Sequence, residues 1–116
     1  MRVNPFAPPG SELYCPATRE VKVHATSTLY AMMHEQAHGI QHRNRTWAWK
    51  LGRCAWNNKR IPLLQLWLEI EATLIARTIL RRLDKWTPKA CQEARESLLT
   101  YCTGPKTEWL VNWLLK

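Results

Sequence analysis

The pentapeptide His34-Glu35-Gln36-Ala37-His38 contains two histidines four residues apart. No other segment of the chain is as suited to chemistry. Residues four apart on a helix share one face, so both imidazoles can bind one metal ion while Glu35 projects beside it. A catalytic zinc ion has three protein ligands and a water whose pKa falls to about 7, and a neighbouring carboxylate can accept that water's proton. The pentapeptide therefore predicts two ligands and the general base of a hydrolytic zinc site that needs a third ligand.

The third ligand is expected from the most apolar helix of the chain, which is predicted to follow Pro62 and to run from Leu63 to Leu83. A carboxylate in the middle of such a helix is costly to bury unless it is paired or binds a metal ion. The helix carries two candidates, Glu69 and Glu71. Either could complete the site.

Glu69 and Glu71 face different sides of that helix, because residues two apart are rotated by about 200°. Glu69 shares its face with small residues, namely Ala72, Thr73 and Ala76. Glu71 shares its face with bulky residues, namely Trp67, Leu74 and Ile75. Small residues allow the helix that carries His34 and His38 to approach closely, so Glu69 is favoured and Glu71 stays the alternative.

The elements that position these residues are predicted to be mostly helices. Residues 26–28 offer N-caps for the motif helix, which runs to about residue 42. Residues 19–25 alternate apolar with polar and predict a short strand before it, either the only strand or one of two. Thr87-Pro88 opens a helix to about Tyr101, and Gly104-Pro105 precedes a last one. The fold class is mainly α, with a short strand or small sheet edge before the motif helix.

The 116 residues suit a single domain. Four prolines and glycines near the start, Pro5, Pro8, Pro9 and Gly10, predict an extended N-terminal arm over residues 1–17 and a domain over 18–116. No targeting segment is visible, and no apolar run reaches 18 residues, so we expect a cytoplasmic protein without a membrane partner. The four cysteines form no CxxC pair, which disfavours a Cys-rich structural zinc site.

A formal charge of +8 favours acidic partners, which include nucleic acid and acidic proteins. Basic residues alternate with Trp47, Trp49 and Trp56 over residues 43–60, where a loop and a short helix are predicted. Such a segment could clamp single-stranded nucleic acid, but a helix with tryptophans on its buried side has the same pattern. The alternative to a hydrolase is therefore a basic binding protein, for nucleic acid or an acidic protein, with a structural metal site.

Residues 34–42, HEQAHGIQH, and residues 69–76, EIEATLIA, together resemble the gluzincin pattern of the ImmA/IrrE metallopeptidase family. That pattern has an HExxH helix, often with a further His one turn on, and a second helix of the form ExEANxFA. The resemblance covers about residues 28–80 and implies Zn²⁺ held by His34, His38 and Glu69, with Glu35 as general base. It also implies a compact zincin-like domain that hydrolyses a peptide or protein substrate. The chain departs from the pattern at two positions. The family usually has Asn or Asp where this chain has Thr73, and Phe where it has Ile75.

Four further residues are candidates for supporting roles. Thr73 lies one turn after Glu69 and could hydrogen-bond the outer nitrogen of a ligand histidine. His42, one turn past His38, and His24 and Tyr30 could contact the substrate or its transition state. Their types and spacing assign a role to none of these last three.

Overall fold

The computed structural model describes residues 2–3, 13–23, 27–58 and 62–116, with side chains described outside 2–3 and 53–58. Within these ranges three short strands precede five helices. The strands are β1 (Arg2–Val3), β2 (Leu13–Cys15) and β3 (Glu20–Val23). The helices are α1 (Leu29–Asn44), α2 (Trp47–Asn58), α3 (Pro62–Arg82), α4 (Pro88–Leu99) and α5 (Pro105–Leu114). The predicted fold class, mainly helical with a small sheet before the motif helix, is confirmed.

The strands form one sheet in the order β1-β3-β2. Strand β1 pairs parallel to β3, and β2 pairs antiparallel to it with Tyr14 opposite Val21. The strand predicted over residues 19–25 is β3, whereas β1 and β2 lie in the segment predicted as an extended arm, so the described sheet has three strands rather than one or two. Val21 and Tyr14 are buried, which turns this face of the sheet toward the helices.

Helix α1 begins where its cap residue predicts. The Thr28 side chain accepts a hydrogen bond of 3.1 Å from the Ala31 N–H, one of the donors that a helix start leaves without an internal partner. At the other end Arg45 adopts the left-handed conformation with φ 51°, and its N–H bonds the carbonyl oxygens of the last turn. The helix thus spans the whole motif and two residues more than predicted.

Helices α1 and α3 cross through small residues. Ala37 on α1 and Ala72, Thr73 and Ala76 on α3 are completely buried. Larger apolar side chains of the same core fill the space toward α4 and α5, among them Leu80, Leu98, Val111 and Leu115. Because alanine lets helix backbones approach closely, side chains that flank the alanines on the two helices can meet.

Helix α2 packs on α3 at a glycine. A Cβ atom placed on Gly52 would lie 2.6 Å from the Leu68 Cβ and 2.9 Å from the Leu64 carbonyl oxygen, so only glycine fits. Leu68 joins Trp49, Tyr14, Val21 and Val23 in a second apolar cluster between the sheet and these helices. This cluster lies beside the motif residues Glu35 and His38.

The tryptophans of the basic segment separate by face. Trp49 is 6% exposed, whereas Trp47 is 68% exposed with the Lys50 Nζ atom 4.8 Å from its ring centre. The structure does not describe the side chains of residues 53–58, among them Trp56, or any part of residues 59–61. The predicted loop and short helix correspond to α2.

Helices α4 and α5 close the domain on the side of α3. The Thr87 side chain accepts from the Ala90 N–H at the start of α4, as the Thr87-Pro88 pair predicts. Cys15, Cys91 and Cys102 are free thiols, and the Cys54 side chain lies outside the description. Among the described helices none is both long enough and apolar enough to cross a membrane.

Candidate metal centre

The motif histidines and Glu69 meet at the crossing of α1 and α3. All three residues are buried, with 7% exposure for His34 and 8% for both His38 and Glu69. The Glu69 Oε2 atom lies 2.8 Å from His34 Nε2 and 3.2 Å from His38 Nε2. One carboxylate oxygen and two imidazole nitrogens therefore converge on a single point.

Glu35 stands beside this point. Ligand atoms of His34, Glu35 and His38 lie within 4.8 Å of one another, so this group could hold a metal ion. The Glu69 Oε2 atom lies within 3.2 Å of both histidine Nε2 atoms, and the backbone N–H of Tyr14 donates to the Glu35 carboxylate. Burial raises the pKa of Glu35, against the opposing charges of His38 and His34. Glu35 is thus an acid whose proton affinity is increased next to the converging nitrogens.

Glu71, the alternative third ligand, lies elsewhere. Its Oε1 atom accepts a 3.0 Å hydrogen bond from the Gln41 side-chain amide. The faces of α3 therefore separate the two acids as the sequence predicts: Glu69 contacts both histidines, and Glu71 contacts the amide behind them.

Gln41 fixes the orientation of His38. Its Nε2 atom donates to the Leu68 carbonyl at 3.0 Å and to Glu71, which turns its Oε1 atom toward His38 Nδ1 at 2.8 Å. Since that oxygen can only accept, His38 Nδ1 must carry a proton. The Nε2 lone pair is the one left for the point of convergence whenever the imidazole is neutral.

A chain of hydroxyls fixes His34 in the same way. The Thr73 hydroxyl donates its one proton to the Glu69 carbonyl at 2.8 Å, so it accepts from Tyr30 Oη at 3.3 Å. Tyr30 Oη, having donated its proton, accepts from His34 Nδ1 at 3.2 Å. The sequence allowed a direct hydrogen bond from Thr73 to a candidate ligand histidine. In the structure Thr73 is completely buried and reaches His34 only through Tyr30.

The electrostatics of the metal-free centre follow from these contacts. Burial alone lowers the pKa of His38, but the hydrogen bond and charge of Glu69 outweigh it and raise the pKa to about 9. Burial alone raises the pKa of Glu69, but the hydrogen bonds from His34 and His38 lower it to about 2. The proton of His38 and the negative charge of Glu69 therefore stabilise each other.

The donor atoms suit a divalent cation such as zinc. Around a tetrahedral zinc ion with ligand bonds of about 2.0–2.1 Å, neighbouring ligand atoms lie roughly 3.3 Å apart. The distances of 2.8 and 3.2 Å from Glu69 Oε2 to the two Nε2 atoms are near that spacing. Small side-chain movements would open the site to an ion, because both imidazoles are already oriented from behind.

Two cavities flank the centre and share Glu35, Glu69 and Tyr101 in their linings. The first, of about 230 Å³, is largely apolar, and its other lining residues are Leu13, Tyr14, His38, Trp49, Gln65 and Leu68. The second, of about 270 Å³, is more polar, and its other lining residues are Tyr30, Ala31, His34, Glu93 and Ser97. An extended molecule could therefore pass across the centre from an apolar to a polar side.

His42 does not reach the centre. His42 Nδ1 lies 2.7 Å from the Tyr14 hydroxyl, and its ring stacks on Trp49 at 5.0 Å. His42 lines neither of the two cavities and instead holds the Tyr14 side chain. His24 lies outside the described residues.

Two residues of the site, Gln41 and Tyr101, were not predicted from the sequence. Gln41 follows His38 by three positions on the same helix, a spacing that could have indicated its contact. Tyr101 comes at the end of α4, and no local pattern connects it with the motif. Only the packing of α4 against α1 and α3 brings it to the cavities.

Comparison with protein-family models, curated proteins and solved structures gives no match to this chain. The resemblance to the ImmA/IrrE metallopeptidases therefore depends on the residues of the two motif segments. What the chain can do has to be inferred from its own geometry.

Proposed function

We propose that this chain is a small zinc-dependent metallopeptidase of gluzincin type, with His34, His38 and Glu69 as zinc ligands and Glu35 as general base. One observation carries the proposal: both histidines give their Nδ1 protons to partners behind them and direct Nε2 at the same Glu69 oxygen. Histidine ligands of metal ions are commonly oriented by such outer partners.

A buried ion pair of the histidines with Glu69 is the simpler explanation of these contacts. The Nδ1 protons of both histidines argue against such an ion pair in the functional protein. With Nδ1 protonated on both rings, each Nε2 can bond Glu69 only as an imidazolium, which would place two cations against one carboxylate oxygen. A divalent cation satisfies the same three atoms with no Nε2 proton. The donor set therefore supports a metal ion better than a network of protons.

Zinc is the metal that mixed imidazole and carboxylate ligation favours. Three protein ligands are typical of catalytic sites, which leave one position open, whereas structural sites are closed by four. Bound zinc would supply Lewis-acid activation of a water molecule and of a carbonyl oxygen. The two cavities beside the centre offer room for a peptide on either side of it.

Glu35 would move the proton. As the water oxygen adds to the peptide carbonyl carbon, Glu35 accepts a proton from that water, and it returns the proton to the peptide nitrogen when the C–N bond breaks. The products are a carboxylic acid and an amine. Burial, which raises the pKa of Glu35, suits a carboxylate that must accept and then release a proton.

The test is the Glu35→Gln protein, loaded with zinc and offered a library of quenched fluorogenic peptides. We expect bound zinc to stay stoichiometric while kcat falls about 10²- to 10⁴-fold, the usual contribution of a general base. Glu108→Gln, an equivalent change on the exposed face of α5, is the matched control and should leave kcat unchanged. A zinc-loaded Glu35→Gln protein that cleaves as fast as its parent would overturn the mechanism. A parent that binds no zinc would overturn the whole proposal.

A further inference from the structure

The three tyrosines of the chain all lie beside the candidate centre, but their hydroxyls have different partners. The Tyr14 hydroxyl bonds His42 Nδ1 at 2.7 Å. The Tyr30 hydroxyl bonds His34 and Thr73, as described above. Both hydroxyls therefore already have imidazole partners.

Tyr101 differs from the other two. Its N–H bonds the Leu98 carbonyl at 3.0 Å, which places the residue in the turn that ends α4. Its side chain lines both cavities together with Glu35 and Glu69. Among the described residues no hydrogen bond of the Tyr101 hydroxyl is found, so its O–H stays available to a molecule in the cavities.

The surroundings of Tyr101 keep its phenol protonated. Burial, and after it the negative charges of Glu69 and Glu35, raise the pKa of Tyr101 to about 12. An ordinary tyrosine is already protonated near neutral pH, and the raised pKa keeps the Tyr101 hydroxyl a hydrogen-bond donor at alkaline pH as well.

We propose that Tyr101 is a catalytic residue whose hydroxyl donates a hydrogen bond to the carbonyl oxygen of the peptide bond under attack. This inference rests on the proposed peptidase function and adds a residue to it. The carbonyl oxygen gains negative charge as water adds to the carbon, and a donor positioned beside it lowers the energy of that state more than that of the bound substrate.

Position distinguishes Tyr101 from the other neutral side-chain donors of the two cavities. Tyr14, Trp49 and Gln65 line only the apolar cavity. Tyr30 and Ser97 line only the polar one, whereas Tyr101 lines both. A peptide that crosses the centre would have its reacting carbonyl where the two cavities meet, between Glu35 and Glu69. Tyr101 is the neutral donor that borders that place from both sides.

The first measurement compares Tyr101→Phe with Tyr30→Phe, since each change removes one hydroxyl and keeps the ring. For Tyr101→Phe we expect kcat to fall about 10²- to 10³-fold with KM within about threefold, zinc affinity unchanged and the same Tm. For Tyr30→Phe we expect zinc affinity to fall about 10- to 100-fold, because a hydroxyl behind His34 is lost. Weakened zinc binding or a lowered Tm in Tyr101→Phe would make its role structural and overturn the proposal.

The second measurement does not depend on turnover. A phosphonamidate analogue of a cleaved peptide, which imitates the tetrahedral state, is titrated into the cobalt-substituted proteins while the visible absorption of the cobalt is recorded. Tyr101→Phe should weaken its binding by about the same factor as kcat/KM, since a donor to that state is missing.

The outcomes separate the two proposals. An active parent whose Tyr101→Phe variant keeps its kcat, or binds the phosphonamidate as tightly, overturns the role of Tyr101 and leaves the peptidase standing. A zinc-loaded parent that cleaves no peptide overturns both.

Discussion

The Nε2 atom of His34 lies 2.8 Å from the Oε2 atom of Glu69, although the two residues are 35 positions apart in the chain. Their helices can come this close because the side chains at the crossing, Ala37, Ala72 and Ala76, are small and completely buried. The centre is therefore held by two packed helices rather than by loops, which favours a precise geometry.

Replacing Glu69 by Gln should remove most of the zinc affinity, whereas Glu71→Gln should change it much less. Both substitutions remove one negative charge from α3, but only Glu69 contacts the two histidines, and Glu71 reaches His38 only through Gln41. We expect the dissociation constant for zinc, measured in competition with a chromogenic chelator, to rise more than 100-fold for Glu69→Gln. For Glu71→Gln we expect a rise of 10-fold or less, at the lower end of effects on outer partners. Equal losses from the two variants would contradict the assignment of Glu69.

Local patterns predicted the motif helix and the common face that its two histidines share. The cap at Thr28, the HExxH spacing and the small residues after Glu69 are all read within a few turns of helix, where spacing fixes which side chains share a face. That is why α1 and α3 agree with prediction and why Glu69 could be favoured over Glu71.

Contacts that depend on tertiary packing could not be predicted in this way. Strand β2 is three residues long, and its place in the sheet depends on its partner β3 rather than on its own pattern. Helix spacing allowed a contact between Thr73 and a candidate ligand histidine, but it cannot show that the Tyr30 hydroxyl lies between Thr73 and His34. Tyr101 reaches the cavities only through the docking of α4, which no sequence spacing encodes.

The metal-free protein should lose stability as the pH rises from about 6.5 to 9. The pKa of His38 is about 9 in the folded chain, raised by Glu69 against the effect of burial, and 6.5 is its ordinary value. A raised pKa gives stability that is complete below 6.5 and is lost as the pH passes through 9. The gap corresponds to about 3 kcal/mol. Glu69, with its pKa lowered to about 2, acts in the opposite window and loses its contribution only as the pH falls from 4.5 through 2.

Urea unfolding at a series of pH values, with zinc removed by a chelator, measures this dependence. His38→Gln should flatten the curve between pH 6.5 and 9, because the titrating imidazole is gone. Zinc-loaded protein should also show a flatter curve, since a zinc ion bound to Nε2 takes the place of the proton. A metal-free parent whose free energy of unfolding stays constant from pH 6 to 9 would show that His38 and Glu69 are not paired as described.

Gly52→Ala should destabilise the fold even though alanine is the better helix former. Helix propensity alone would stabilise α2 by about 1 kcal/mol, but a Cβ atom would lie 2.6 Å from the Leu68 Cβ and 2.9 Å from the Leu64 carbonyl oxygen. Backbone on both sides has to move, and such overpacking costs about 1–3 kcal/mol or more. We expect the free energy of unfolding to fall by about 1–2 kcal/mol in net terms.

Gly104→Ala is the control without a clash, because its backbone is extended with φ 170° and nothing lies within 4 Å of the added Cβ. Gly104 is the N-cap of α5, where alanine is a poorer cap than glycine, so we expect a loss of only about 0.5 kcal/mol. Leu68 adjoins Glu69 and its carbonyl accepts from Gln41, so Gly52→Ala should weaken zinc binding as well. If urea unfolding gives Gly52→Ala the same stability as the parent, then α2 does not pack on α3 as closely at this glycine as the structure shows.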